Sequence, residues 1–357
     1  MNNPFITGIL HLEDLPEQEV YLRLEENYKN SFLDSAKSLC DGKWTSLGRI
    51  LNLPISHNNV EILRCFRRTN IYSLKLIKKI SKFLIENGFK EYSLDKLEKK
   101  IILIKSKQGS PKGILNPKFP INFNSKEGAI IISCLFHDGG ITVRDLEPFY
   151  TNNSRVLKER FHKAVNNIIG EVDFICKSKS NIQFTYSRIF GLILITIGLI
   201  PGKRQLNNPK FPTFVFNYSD ELIYEFLSQS IADDGWIYNP KKGFGFIGFN
   251  FTIDLTKLSE EERYNVRMTK NLNYLPNTLL GDLDLFKKLG CKVAGPHFGN
   301  EIRYTKNSEE YRYTQEWRMQ IRGYKNFKFL SKHLNIPLEY KQTRLINENN
   351  KIRIRKV

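Results

Sequence analysis

Two stretches of the chain are versions of one another, and each carries a predicted helix that stops at Asp-Gly. The first runs Asn116-Pro117-Lys118-Phe119-Pro120, has a polar helix start at Ser125, and continues as IISCLFHDGG from Ile131 to Gly140. The second runs Asn208-Pro209-Lys210-Phe211-Pro212, starts its helix at Ser219-Asp220, and continues as LSQSIADDGW from Leu227 to Trp236. A repeated landmark followed by a repeated acid points to one protein built from two related halves. Each half would deliver one carboxylate, Asp138 or Asp234, to a shared centre.

The element order supports the alignment. After a linker at Gln108 to Gly113, the first half reads as helix Ser125 to Phe136, strands Ile141–Arg144 and Pro148–Thr151, and helix Ser154 to Ile169 closed by Gly170. Strands around Val172–Cys176 and Ile182–Tyr186 follow, and then an apolar helix from Ser187 to Ile200. The second half repeats this order: helix Ser219 to Ala232, a hairpin of Trp236–Asn239 and Phe244–Asp254, helix Asn277 to Leu289, strands within Lys292–Arg322 and helix Asn326 to Leu334. The closing helices end at Ile200-Pro201 and Ile336-Pro337. From acid to proline the chain advances 63 residues in the first half and 103 in the second, so the second is expected to carry longer hairpins. The fold class implied is α+β, a doubled αββαββα order over residues 111–206 and 207–345, with a basic tail at 346–357.

Residues 1–110 read as a mostly helical N-terminal domain. Trp44 to Leu53, opened by Thr45 or Ser46, a turn at Pro54-Ile55-Ser56, and His57 to Arg68 resemble a helix-turn-helix whose second helix ends in Arg64, Arg67 and Arg68. Tyr72 to Asn87 continues as a helix with Leu74, Ile77, Ile80, Phe83 and Leu84 on one face. A small helical domain with no role in DNA contact fits the same pattern.

The chain has 55 Lys and Arg against 37 Asp and Glu, a formal charge of +18, which favours polyanionic partners and nucleic acid first. Basicity for solubility alone is the other reading. Five scattered cysteines without a C-x-x-C pair fit neither a disulfide framework nor a zinc site. The strongest apolar run, Ile189 to Ile200, is too short for a membrane span. Asp14 and Glu17 fall where the apolar core of a signal peptide would lie. The expectation is a cytoplasmic protein, nucleoid-associated when bound to DNA.

The paired nonamers IISCLFHDG (Ile131 to Gly139) and LSQSIADDG (Leu227 to Gly235), with the repeated NPKFP segments and Ile-Pro ends, resemble the LAGLIDADG homing endonucleases, in their two-motif monomeric form. The resemblance spans about Pro111 to Leu345 and implies a saddle of antiparallel strands lying on duplex DNA. It places the catalytic and metal-binding acids on Asp138 and Asp234, with Mg²⁺ (or Mn²⁺) as cofactor, because hard cations suit paired carboxylates and phosphate oxygens. It also places a lysine after the last helix of each repeat, here Lys203 and Lys341; both equally suit a solvated surface. Ser133, Cys134, Ser228 and Ser230 are small enough for close helix packing, whereas Gln229 and Phe136 depart from the family's pattern. His137 and Asp233 read as exposed or supporting residues and not as metal ligands.

The DNA-reading surface would be built from strands. Along Tyr311 to Arg322, residues Arg312, Thr314, Glu316, Arg318, Gln320 and Arg322 alternate with Tyr313, Trp317, Met319 and Ile321. Arg and Gln suit guanine and adenine edges. Lys177, Lys179, Asn181, Gln183 and Thr185 form a shorter polar set in the first half, and Lys241 and Lys242 at a hairpin tip suit phosphates. The main expectation is a monomeric, sequence-specific double-strand endonuclease. The alternatives are a non-catalytic DNA-binding regulator descended from the same fold, or a maturase acting on intron RNA. A sugar- or nucleotide-processing enzyme is disfavoured by the charge and the lack of a Gly-rich phosphate loop.

Overall fold

The computed structural model describes residues 3–53, 70–108, 113–177, 183–238, 245–269, 272–306 and 310–354. The two halves have the same sheet topology. In the first, Gly139–Ile141, Pro148–Thr151, Phe174–Lys177 and Gln183–Tyr186 form an antiparallel sheet in the spatial order third, fourth, second, first. In the second, Trp236–Tyr238, Phe246–Asp254, Val293–Lys306 and Glu310–Arg322 form an antiparallel sheet in which the strands take the same neighbours. Helices precede, interrupt and follow the strands in each copy, so the α+β class and the doubled αββαββα order hold.

The centre of the molecule is the contact between two helices, Lys126–Phe136 and Asp220–Asp233. Both lack a wet face where they meet: Ile131 to Phe136 and Phe226 to Ala232 are buried without interruption. A helix covered on all sides belongs in a core, and the apolar repeat in both motifs reflects that position. Ser125 caps the first helix, its hydroxyl accepting from the Gly128 amide at 3.1 Å. The NPKFP segments begin alike, with Asn116 at φ 47° and Asn208 at φ 42°, but the first continues into the strand Ile121–Asn122 and the second into the 3-10 turn Thr213–Asn217.

Several elements differ from the sequence reading. The N-terminal segment carries strands as well as its helices, and these strands join the first repeat. Val20–Leu24, Tyr72–Ser73 and Ile101–Ser106 pair with Ile114–Leu115 and Glu171–Val172 of the first repeat into one five-stranded sheet, which therefore crosses the expected boundary at 110. Val20, Leu22 and Leu24 fill its inner face, an alternating strand hidden in a short, helix-rich region. Helix Trp44–Ile50 starts one residue before the expected caps. Helix Leu74–Glu86 starts behind Ser73, whose hydroxyl accepts from the Leu76 amide, and it buries Leu74, Ile77, Ile80 and Leu84 as expected. The second helix of the expected helix-turn-helix, with Arg64, Arg67 and Arg68, lies outside the described residues, as do Lys179, Lys241 and Lys242.

The added length of the second half goes into longer strands and also into an extra helix, Glu260–Thr269. Where a tail was expected from 346, the described residues continue the helix Glu339–Ile354, which packs Lys341, Leu345, Glu348 and Asn349 inward. No described helix is long and apolar enough to cross a membrane.

Candidate active site

Asp138 and Asp234 stand at the C-terminal ends of the two packed helices and line one cleft of about 900 Å³. The glycine after each acid is required by close approach. A Cβ on Gly139 would lie 2.7 Å from the Phe149 carbonyl oxygen, and one on Gly235 would lie 2.7 Å from Ile231 Cα. Asp-Gly is therefore more than a helix stop here, since the turn presses its backbone onto neighbouring chain.

Asp138 is half-buried, and Asn152 Nδ2 donates to its Oδ2 at 2.7 Å. Burial, and next the charge of Asp234, push its carboxyl above the ordinary range; the Asn152 hydrogen bond and Arg204 partly offset this. Asp234 faces Arg204, whose Nη1 lies 3.5 Å from Asp234 Oδ2.

The helix ends explain the cations present. The C-terminal end of a helix carries partial negative charge, and a carboxylate placed there makes it more negative. Lys341 meets this in the second motif. Its buried ammonium donates to the carbonyls of Ile231, Ala232 and Gly235, each at 2.7 Å. An ammonium has three protons, and these carbonyls take all of them. Burial draws its pKa below the ordinary lysine value. The expectation that Lys341 acts on the scissile group thus meets a geometric obstacle, because the side chain is committed to capping the helix.

The counterpart of Lys341 is Arg204. Its Nη1 donates to the Phe136 carbonyl, and Phe136 occupies in the first nonamer the place of Ala232 in the second. The sequence paired Lys341 with Lys203 instead, one residue away, because lysine was the type sought. Lys203 is exposed and lines the cleft with Arg204, Asn250 and Thr252.

Beneath the acids lies a polar seam between the helices. The Ser133 hydroxyl donates to the Phe226 carbonyl of the facing helix at 2.9 Å, which demands a small residue at that crossing. His137 is fully buried, which fits the supporting role the sequence allowed and not the exposed one. Its Nδ1 lies 2.7 Å from the Ser133 carbonyl, and its Nε2 lies 3.0 Å from Asp282 Oδ2 and 2.9 Å from Ser230 Oγ. Both ring nitrogens thus face acceptors. Burial opposes the charge on this ring, but the Asp282 carboxylate outweighs it and raises the pKa to about 9. In the second motif, Tyr150 donates to Asp233 Oδ1 at 2.6 Å, and Gln229 Nε2 lies 3.1 and 3.2 Å from the two carboxyl oxygens. Burial and the charge of Asp138 raise Asp233 to about 7. Gln229, the departure at a position for a small residue, is tolerated because its amide turns along its own helix to Asp233. No local signal identified Asp282 or Tyr150, which arrive from distant parts of the chain.

Of the expected DNA-contacting residues, Arg312, Arg318, Gln320 and Arg322 lie on the strand Glu310–Arg322, second from the edge of its sheet. Trp317, Met319 and Ile321 are buried as the alternation required, whereas Thr314 and Glu316 are covered as well. Arg322 is exposed and lies over the Phe246 ring, while Arg318 Nε donates to Glu316 Oε1 at 2.5 Å. Lys177 and Gln183 pair across adjacent strands of the first sheet.

No family model matches the chain, and no curated protein does. Among solved structures it is similar to variants of the homing endonuclease I-DmoI, at 10% identity and a TM-score of 0.35 over 60% of this chain and 97% of that one. It is also similar to full-length DUF199/WhiA from Thermatoga maritima, at 14% identity and a TM-score of 0.31 over 65% of this chain and 66% of that one. The N-terminal LAGLIDADG domain of DUF199/WhiA is similar at 12% identity and a TM-score of 0.29, over 65% of this chain and 98% of that one.

Proposed function

We propose that the chain binds double-stranded DNA and hydrolyses one phosphodiester on each strand at the Asp138–Asp234 centre. The observation that carries this reading is the convergence of two helix-terminal carboxylates in one open cleft. A net charge of +18 favours a polyanionic substrate. The donor set suits a hard divalent ion, because the carboxylates of Asp138 and Asp234 line one cleft. Mg²⁺ suits so few protein ligands, because it keeps waters and takes phosphate oxygens. Held by Asp138 and Asp234, Mg²⁺ or Mn²⁺ would supply Lewis-acid stabilisation of the developing phosphorane charge and an activated water.

The chain's own groups orient the site. Asn152 fixes the Asp138 carboxylate through its Oδ2. Lys341 and Arg204 hold the last carbonyls of the two helices, so each acid is presented from a pinned helix end. Lys203, exposed on the cleft wall, would meet phosphate oxygens as a point charge.

A second reading, DNA binding without cutting, is favoured by the Arg204–Asp234 contact and by the commitment of Lys341 to carbonyls. The test incubates the chain with a plasmid carrying the DNA around its own gene and with a randomised duplex library, in Mg²⁺ or Mn²⁺, with EDTA as control. Metal-dependent double-strand cuts that vanish in Asp138→Asn and Asp234→Asn support hydrolysis. Tight duplex binding with no cut in either metal transfers the reading to a regulator, and preference for structured intron RNA transfers it to a maturase.

A further inference from the structure

We infer that Arg204 is a built-in counter-ion of the two-acid centre, which holds Asp234 until a phosphate draws it away and so couples divalent-ion binding to DNA binding. The inference rests on the reading of Asp138 and Asp234 as the ion's ligands. Its geometric basis is the difference between two equivalent helix ends. At the second, the Lys341 ammonium is spent on three carbonyls. At the first, Arg204 Nη1 meets the Phe136 carbonyl and also lies 3.5 Å from Asp234 Oδ2, the acid of the other half. A guanidinium carries five donors in a planar fork, so Arg204 can meet a backbone oxygen and a carboxylate together, whereas all three protons of the Lys341 ammonium are already taken by carbonyls.

Two carboxylates sit at the negative ends of two helices, and Arg204 lies on one of them, where an incoming cation would also have to bind. An ion that takes Asp234 must displace this guanidinium or tolerate a like charge beside it. DNA offers the guanidinium another partner, because phosphate accepts the same bidentate geometry as carboxylate. Movement of Arg204 onto a phosphate would free the Asp234 oxygens. Reciprocity then requires that bound DNA raise the affinity for the ion and the ion raise the affinity for DNA.

The test measures Mn²⁺ binding by electron paramagnetic resonance, with and without a short duplex of random sequence. It compares wild type with Arg204→Gln, which keeps an amide to donate to Phe136, and with Arg204→Lys, which keeps the charge and loses the fork. Without DNA, Arg204→Gln should bind Mn²⁺ at least about tenfold more tightly, the scale expected from removing one positive charge beside the site. It should also lose most of the tightening that DNA produces in wild type, and Arg204→Lys should fall between the two. Equal Mn²⁺ affinity of wild type and Arg204→Gln without DNA overturns the inference, as does weaker binding by a variant whose circular dichroism and melting match wild type. If Arg204→Gln tightens Mn²⁺ but no form cuts DNA, the hydrolytic reading fails and the counter-ion stands. If DNA is cut while Mn²⁺ affinity ignores residue 204, only the counter-ion fails.

Discussion

Replacing Lys341 by Met separates a helix cap from a catalytic group. The methionine keeps an apolar stem in the buried site and removes the ammonium that meets Ile231, Ala232 and Gly235 at 2.7 Å each. Each abandoned carbonyl costs roughly 1–3 kcal/mol where water does not replace the donor. Relief of the buried charge's own desolvation returns part of this. A net loss of about 3 kcal/mol follows from three acceptors, some of them reached by water from the cleft. At roughly 1–2 °C per kcal/mol for a chain of 357 residues, the unfolding midpoint should fall by about 3–6 °C. The assay is thermal unfolding followed by circular dichroism in EDTA, with exposed Lys203→Met as the control, expected within about 0.5 kcal/mol of wild type. A Lys341→Met protein that melts with wild type would refute the capping argument. If that protein had also lost DNA cleavage, Lys341 would return as a group acting on the transition state.

Asp138→Asn and Asp234→Asn are nearly isosteric and should each preserve folding and duplex binding while abolishing double-strand cleavage, read on gels with linear and supercoiled substrate. Neutralising Arg312, Arg318 and Arg322 together should weaken duplex binding and flatten its salt dependence by up to about three units of slope, one per lost phosphate contact; an unchanged slope marks the strand as a solvated face. Asp233 has its pKa raised from 3.8 to about 7, so the unfolded chain gives up this proton first and stability falls as pH rises from about 4 through 7. In Asp233→Asn that fall should shrink, by a few kcal/mol at most; identical stability–pH curves for variant and wild type would contradict the raised pKa.

The sequence was most legible where it repeated. Two copies of one pattern located both motif helices, the aspartates at their ends and the order of elements along the chain, because a repeat supplies two noisy readings of one structure. Legibility failed where partners are remote. Val20–Leu24 joins a sheet whose other strands come from residues 72–73, 101–106, 114–115 and 171–172, and five residues cannot announce that. His137 could be read as exposed or as supporting, because its anion, Asp282, lies 145 positions away. The last helix, Glu339–Ile354, lacks a clear apolar face and buries polar Glu348 and Asn349, so periodicity had little to detect. The exchange of Arg204 for Lys203 has another cause: residue type was matched at the start of the short helix Arg204–Asn207, where only a hydrogen bond to equivalent carbonyls fixes the register.

The polar seam between the motif helices bears on how such a chain can be divided or duplicated. Each motif's residue before the acid is completed by the opposite half: His137 of the first by Asp282 and Ser230 of the second, and Asp233 of the second by Tyr150 of the first. The two partnerships are chemically different, one imidazole–carboxylate and one phenol–carboxylate. A symmetric pair of first halves would leave two buried His137 rings with no Asp282 to receive them, and a pair of second halves would leave two Asp233 carboxyls without Tyr150. Neither half can therefore stand in for the other. The handedness of the pairing is written into one polypeptide, and an object recognised across both halves meets two unlike ends.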